Sequence, residues 1–181
     1  MNNIHKDSVL KLVLSALFLA LGIVLPSLTG SIPQVGKMLL PMHIPALLCG
    51  FVCGWPFGLA VGFITPLLRS MLFSAPPMMP TAVGMAFELA VYGAVVGILY
   101  ARLPKRNWAV YVSLIGAMLA GRIVWGIISV PLHGLNGSAF SFQAFIAGAI
   151  LNAVPGIILQ LVLIPVIIIG LKRARVLNAA I

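Results

Sequence analysis

One of the two acidic side chains in this 181-residue chain, Glu88, lies inside an apolar stretch. The stretch, residues 80–101, contains no Lys or Arg before its end and is long enough, at about 1.5 Å per residue, to cross a bilayer core of about 30 Å. A charged side chain at that depth costs roughly 2.5–3.5 kcal/mol on insertion scales. Glu88 therefore needs a charged partner or a water-filled cavity, and Arg69 and Arg122, each also inside a hydrophobic run, are the candidate partners. Two interpretations stay open, a structural ion pair and a site whose charges meet a ligand.

The composition is that of a membrane protein, because 62% of the residues are hydrophobic and 7% are charged, against about 25% charged in soluble domains. The length suits one compact integral membrane domain over residues 1–181. The first apolar run lacks a small-x-small cleavage site, so we expect it to remain as a span. The net charge of +9 could suggest nucleic acid. However, the basic residues cluster beside the apolar runs, which is the pattern of a cytoplasmic membrane face, and no nucleic-acid partner is predicted.

Breaks at Pro, Gly and charged residues predict an all-α bundle of six transmembrane helices. Eight of the eleven Lys and Arg residues then fall on one side, together with both termini, so we expect the N and C termini to be cytoplasmic. Pro155 and Pro165 should kink the last span. The loops at 26–41, 74–80 and 131–141 lie on the outer side. The six predicted spans are residues 9–25, 42–53, 57–73, 81–100, 108–130 and 142–171.

The polar residues of these spans are predicted to share the outer half of the membrane. Glu88 and Arg122 are each about 10 Å below the outer end of their helices, at about 1.5 Å per residue. A polar cluster confined to one half indicates a pocket open to the outside, not a continuous pore. Trp125, one turn from Arg122, could stack on a ring or simply pack in the core. The candidate substrate-binding residues are His43, Arg69, Glu88, Arg122, Trp125 and Asn152.

Neither a catalytic nor a metal site is expected. The chain has no HExxH motif, no Ser–His arrangement and no DxxxD-like pair of carboxylates, which argues against an intramembrane enzyme. Cys49 and Cys53, with three His residues in the chain, are interpreted as small apolar residues of a helix, and no metal or cofactor is predicted. A stand-alone secondary transporter remains an alternative, although the chain shows no inverted repeat.

Three segments resemble the substrate-binding S components of energy-coupling factor (ECF) vitamin transporters. In the first, SALFLALGIVLPSL, the residues Ala16 and Ala20 match the AxxxA pattern of that family. The second is GKMLLPMHIPALLCGFVCGWPFGLAVGFITPLLRS, residues 36–70, and the third is AFELAVYGAVVGILY, residues 86–100. Six short spans in about 180 residues with cytoplasmic ends also fit the family.

The resemblance implies a multi-pass protein of the bacterial plasma membrane that binds a water-soluble vitamin or precursor from outside. It also implies docking, through Ala16 and Ala20, on an ECF transmembrane coupling subunit driven by two cytoplasmic ATPases. The absence of a GxxxxGK[ST] loop fits, because energy must then come from partners. Arg69 and Arg122 outnumber Glu88, which favours a carboxylate or phosphate on the substrate. Pantothenate is the best candidate, and hydroxymethylpyrimidine, pyridoxine and cobalamin stay open.

Overall fold

The computed structural model describes residues 2–29, 39–135, 141–148 and 153–174, and no β-strand occurs among them. The predicted all-helical class is confirmed. A short turn of π-helical hydrogen bonding, Met78–Ala82, leads into the fourth helix. The described helices are α1 (Asn2–Thr29), α2 (His43–Cys53), α3 (Trp55–Phe73), α4 (Val83–Arg102), α5 (Asn107–Leu135), α6 (Phe142–Ile146) and α7 (Val154–Arg173).

Five helical segments are long and apolar enough to cross a membrane. Helix α2 is also apolar but has only 11 residues, which at about 1.5 Å per residue is roughly half of a bilayer core. The count of six spans and the cytoplasmic position of both termini stay predictions. The five long segments are Asp7–Leu28, Trp55–Phe73, Met78–Arg102, Asn107–Leu135 and Val154–Arg173.

Helix α2 lies at the centre of the bundle. Every residue from His43 to Cys53 is buried, as expected for a helix that is hydrophobic all round. It packs against α1, α3, α4 and α7, and Leu47 and Phe51 belong to the main hydrophobic core. The burial explains how so short a helix is held, since its neighbours cover it on all sides. It also fixes His43, the first residue of α2, in the interior of the protein.

Glycines allow α3 and α4 to touch through their backbones. A Cβ atom added at Gly93 of α4 would overlap the backbone of Gly58 in α3, and one at Gly62 would overlap the backbone of Leu89. Small residues let helices approach closely where lipid supplies no hydrophobic drive between them. Gly54, between α2 and α3, has φ +95°, a conformation that glycine adopts without steric cost. The result is a tight unit of α2, α3 and α4.

The close contact between α3 and α4 predicts that Ala substitutions at two helical glycines, Gly93 and Gly170, change stability differently. We expect Gly93→Ala to destabilise the protein by about 1–3 kcal/mol, because the added methyl group overpacks the α3–α4 contact. The matched control is Gly170→Ala in α7, where an added Cβ meets nothing within 4 Å. This control should be neutral or stabilising by up to about 1 kcal/mol, since Ala favours helix. Thermal unfolding of the purified variants in detergent measures both, and equal shifts would refute the backbone contact.

The structure differs from the predicted spans near prolines. Helix α5 continues through Pro131 to Leu135, into the segment predicted as a loop. The segment predicted as one sixth span, 142–171, instead contains two described helices, α6 and α7. Pro155 stands in the first turn of α7 and not at a kink inside it, because proline needs no backbone partner at a helix start. Pro165 does lie inside α7.

Candidate substrate-binding site

Glu88 is the centre of a buried polar cluster formed by three helices. Its Oε1 atom lies 3.0 Å from a terminal guanidinium nitrogen of Arg122 on α5 and 3.5 Å from Nε2 of His43 on α2. Glu88 is 2% exposed, His43 1% and the Arg122 side chain 13%. The structure thus brings together three of the residues predicted from sequence. Arg122 supplies the charged partner that a carboxylate at this depth requires.

Tyr92 is a member of this cluster that sequence reasoning missed. It follows Glu88 by one turn of α4, and its hydroxyl lies near both the Glu88 carboxylate and the Arg122 guanidinium. Its ring meets the His43 ring edge-on, with centroids 5.3 Å apart. Gly121 makes room for it, because a Cβ atom there would overlap the Tyr92 ring. The missing side chain lets α5 approach α4 and so places Arg122 beside Glu88.

The cluster contains more hydrogen-bonding groups than it satisfies internally. Among the described residues, both ring nitrogens of His43, the Tyr92 hydroxyl, Oε1 of Glu88, and Nε and one terminal nitrogen of Arg122 lack a hydrogen bond of good geometry. Guanidinium nitrogens only donate, and the hydroxyl and the imidazole each have a proton to donate. Buried polar atoms normally have partners. The arrangement is therefore suited to receive a ligand with hydrogen-bond acceptors.

An aromatic layer lies next to the cluster along α5. Trp125, one turn after Arg122, stacks on Phe145 of α6 with ring centroids 6.0 Å apart and planes inclined by 25°. The indole ring of Trp125 also approaches Gly84, where an added Cβ would lie 3.6 Å from it. Because Gly84 precedes Glu88 by one turn of α4, Trp125 lies one turn from the charged cluster. The cluster is thus bordered by a flat apolar surface.

Arg69 is engaged elsewhere. One of its terminal nitrogens donates hydrogen bonds to the backbone carbonyl of Ile23 and, at 3.1 Å, to Oγ of Ser27, both on α1. Its guanidinium also lies 5.1 Å from the centre of the Phe73 ring. These contacts fasten α3 to α1, and they explain how a nearly buried arginine is accommodated. The contacts with Ile23, Ser27 and Phe73 give Arg69 a structural role.

The remaining predicted residues are Asn152, Ala16 and Ala20. Asn152 falls outside the residues that the structure describes. Ala16 and Ala20 are exposed on α1, on the side of the helix opposite to the buried Ser15 and Phe18. The two alanines are therefore free for contact with lipid or with another protein in this chain taken alone.

The fold is an apolar helical bundle with a buried polar cluster at Glu88. The family model described as ECF transporter, substrate-specific component, matches residues 10–168. The chain belongs to this family. Comparison with curated proteins and with solved structures gives no match. As a substrate-specific component, the chain is a multi-pass membrane protein with a role in transport. A substrate-specific component must recognise a substrate. The cluster at Glu88 is the candidate for that contact.

Proposed function

We propose that this chain binds a small water-soluble vitamin or precursor with an anionic group, with pantothenate as the best candidate. The observation that carries this proposal is the excess of donors around Glu88. Arg122, His43 and Tyr92 all face one carboxylate and retain unused polar atoms. A ligand carboxylate or phosphate offers acceptors to these groups, and hydrogen bonds to charged partners contribute roughly 1.5–3 kcal/mol each.

The structure changes the reason for expecting an anionic group on the ligand. The sequence argument counted two arginines against one glutamate, but Arg69 contacts α1. Within the cluster, Arg122 and Glu88 cancel in charge, so net charge no longer favours an anion. The donor excess supports the same ligand class, because an acceptor-rich group satisfies atoms that are otherwise unpaired. We infer that the ligand adds to, or partly displaces, the Glu88 contact with Arg122.

A second candidate is a ring compound such as hydroxymethylpyrimidine or pyridoxine. It is favoured by the stacked pair of Trp125 and Phe145 one turn from the cluster, since the edge of an aromatic layer can pack against a planar ligand. In that case Glu88 would accept a hydrogen bond from the ring substituents. The two candidates differ in whether the ligand needs an acidic group. Cobalamin is the third candidate, and a far larger one.

We also propose that delivery depends on an ECF coupling subunit that docks on the Ala16 and Ala20 surface of α1 and is driven by two cytoplasmic ATPases. Both alanines are exposed, and small residues permit close approach of a partner helix. The basic termini and the loop between α4 and α5 should face the cytoplasm. Such a topology would place the Glu88 cluster about 21 Å from the cytoplasmic end of α4, at about 1.5 Å per residue.

Binding to the purified chain tests the proposal without any partner. We expect one B vitamin or precursor to bind with a dissociation constant below about 1 μM, which corresponds to about 8.2 kcal/mol, in the absence of ATP. Isothermal titration calorimetry against a panel measures this, and each acid is paired with its neutral analogue, such as pantothenate with pantothenol. Loss of binding in the alcohol supports the anionic ligand. Equal binding of acid and alcohol would favour the ring compounds, and no binding tighter than micromolar would contradict the proposed function.

A further inference from the structure

Two basic segments, the loop after α4 and the end of α7, meet at one end of the bundle, far from the candidate site. The loop between α4 and α5 and the last turn of α7 come together there, because Nζ of Lys172 donates a hydrogen bond to the backbone carbonyl of Lys105. We call this set the basic end patch. Its members are Arg102, Lys105, Arg106, Lys172 and Arg173.

Neither of the two chain segments that form the patch contains an acidic residue. The chain contains two acidic residues, Asp7 and Glu88, and Glu88 is buried against Arg122. The C-terminal ends of α4 and α7 each contribute about half a negative charge, and the N-terminal end of α5 contributes about half a positive charge. These partial charges leave a net charge of roughly +4.5 on the patch. Five cations are thus held together with little compensation.

Lys105 shows the effect of this crowding. Its ammonium group lies 4.2 Å from the centre of the Tyr100 ring and donates a 3.1 Å hydrogen bond to the Tyr100 carbonyl. Partial burial and the nearby charge of Lys172 lower the pKa of Lys105. An anion beside the two lysines would remove this repulsion.

The residues around the patch indicate which anions are near it. Trp55 and Trp108 are 49% and 46% exposed, and both lie at this end, since Trp108 opens α5 and the Trp55 backbone packs on Gly97 of α4. Tryptophan at the ends of apolar helices marks the headgroup level of a membrane. Basic groups between helix ends at that level are suited to lipid phosphates.

We propose that the basic end patch binds the headgroup phosphate of an anionic phospholipid, with Lys105 and Lys172 as the principal contacts. The site is separate from the Glu88 cluster and does not depend on the identity of the transported substrate. Trp108 lies close enough to the patch to report the bound lipid. Free phosphate and an acidic surface of a partner protein are the other sources of negative charge, and the test distinguishes them.

The test measures quenching of tryptophan fluorescence in the full-length chain by brominated phosphatidylglycerol against brominated phosphatidylcholine in mixed micelles. We expect the anionic lipid to quench at lower mole fraction. Lys105→Gln with Lys172→Gln should weaken that preference by about fivefold for each charge removed, whereas Lys105→Arg with Lys172→Arg should retain it. Lys11→Gln is the control, because it removes one basic charge outside the patch.

Several outcomes would overturn the proposal. Equal quenching by the two lipids, or an equal loss in the Lys11→Gln control, would mean that the preference is not due to the patch. Displacement of the brominated lipid by millimolar inorganic phosphate would indicate a site for free phosphate instead. If the Gln variants keep the lipid preference but lose association with the coupling subunit, the patch is a protein contact.

Discussion

Replacing Arg122 by Ala is expected to raise the dissociation constant of the ligand at least tenfold, a loss of about 1.4 kcal/mol or more. The same change should destabilise the protein by about 3–5 kcal/mol, because it leaves the Glu88 carboxylate buried without its charged partner. Glu88→Ala should destabilise it for the converse reason. Calorimetry for the ligand and thermal unfolding in detergent measure the two effects separately.

The double variant Arg122→Ala with Glu88→Ala separates the two roles of the pair. If the pair only neutralises itself, the double change should be milder than either single change, since no buried charge is stranded. If Arg122 contacts the ligand, stability should recover in the double variant while binding stays weak. A double variant that folds well and binds normally would exclude the role in binding.

Arg69→Gln is the matched control for this experiment. It removes another arginine from a predicted span, but its described hydrogen bonds go to α1 and not to the cluster. We expect a loss of thermal stability with little change in the dissociation constant. A tenfold loss of binding in Arg69→Gln would place the ligand near α1, against the assignment to Glu88 and Arg122.

The second large effect concerns docking. Ala16→Trp with Ala20→Trp should abolish vitamin uptake by the complete transporter while leaving ligand binding to the isolated chain nearly unchanged. Both alanines are exposed, and two indole rings would prevent a partner helix from approaching closely. Radiolabelled uptake in proteoliposomes and calorimetry of the isolated chain give the two measurements.

The control for docking uses the same helix. Leu17→Trp with Leu21→Trp alters two exposed positions, 54% and 39% exposed, that lie about 100° around α1 from the alanines. This variant should retain uptake, because its larger side chains point away from the small-residue surface. An equal loss of uptake in both variants would show that any bulk on α1 is harmful. A loss of ligand binding in the alanine variant would mean that the alanines pack within the domain.

The sequence predicted the helical class and a cationic partner for Glu88, with Arg69 and Arg122 as the two candidates, for physical reasons that are local. Apolar runs interrupted by Pro, Gly and charges locate helices, and a buried carboxylate demands a cation. Helix ends near prolines were less predictable. Pro131 lies inside α5 and Pro155 in the first turn of α7, because tertiary packing decides whether a proline is tolerated within a helix or begins one.

Contacts in the folded protein decide which residues belong to the Glu88 cluster. The spacing of residues along the sequence does not reveal all of these contacts. Tyr92 could have been found from its position four residues after Glu88, on the same face of a helix. Arg69 could not have been excluded in the same way, because its partners, Ile23 and Ser27, lie more than 40 residues earlier in the chain. A count of charges does not distinguish one buried arginine from another. The contacts in the structure do, because Arg69 bonds to α1 and Arg122 to Glu88.

The backbone contact between Gly62 of α3 and Leu89 of α4 also determines the direction from which a substrate can arrive. Leu89 is the neighbour of Glu88, so at the depth of the carboxylate no ligand atom fits between these two helices. Within the cluster, His43, Glu88 and Tyr92 are at most 2% exposed, whereas the Arg122 side chain is 13% exposed. If this cluster is the substrate site, we expect a substrate to contact the guanidinium of Arg122 before the carboxylate. The positive charge of Arg122 would then repel a cationic compound before it could contact Glu88. Cations would be rejected before they bind.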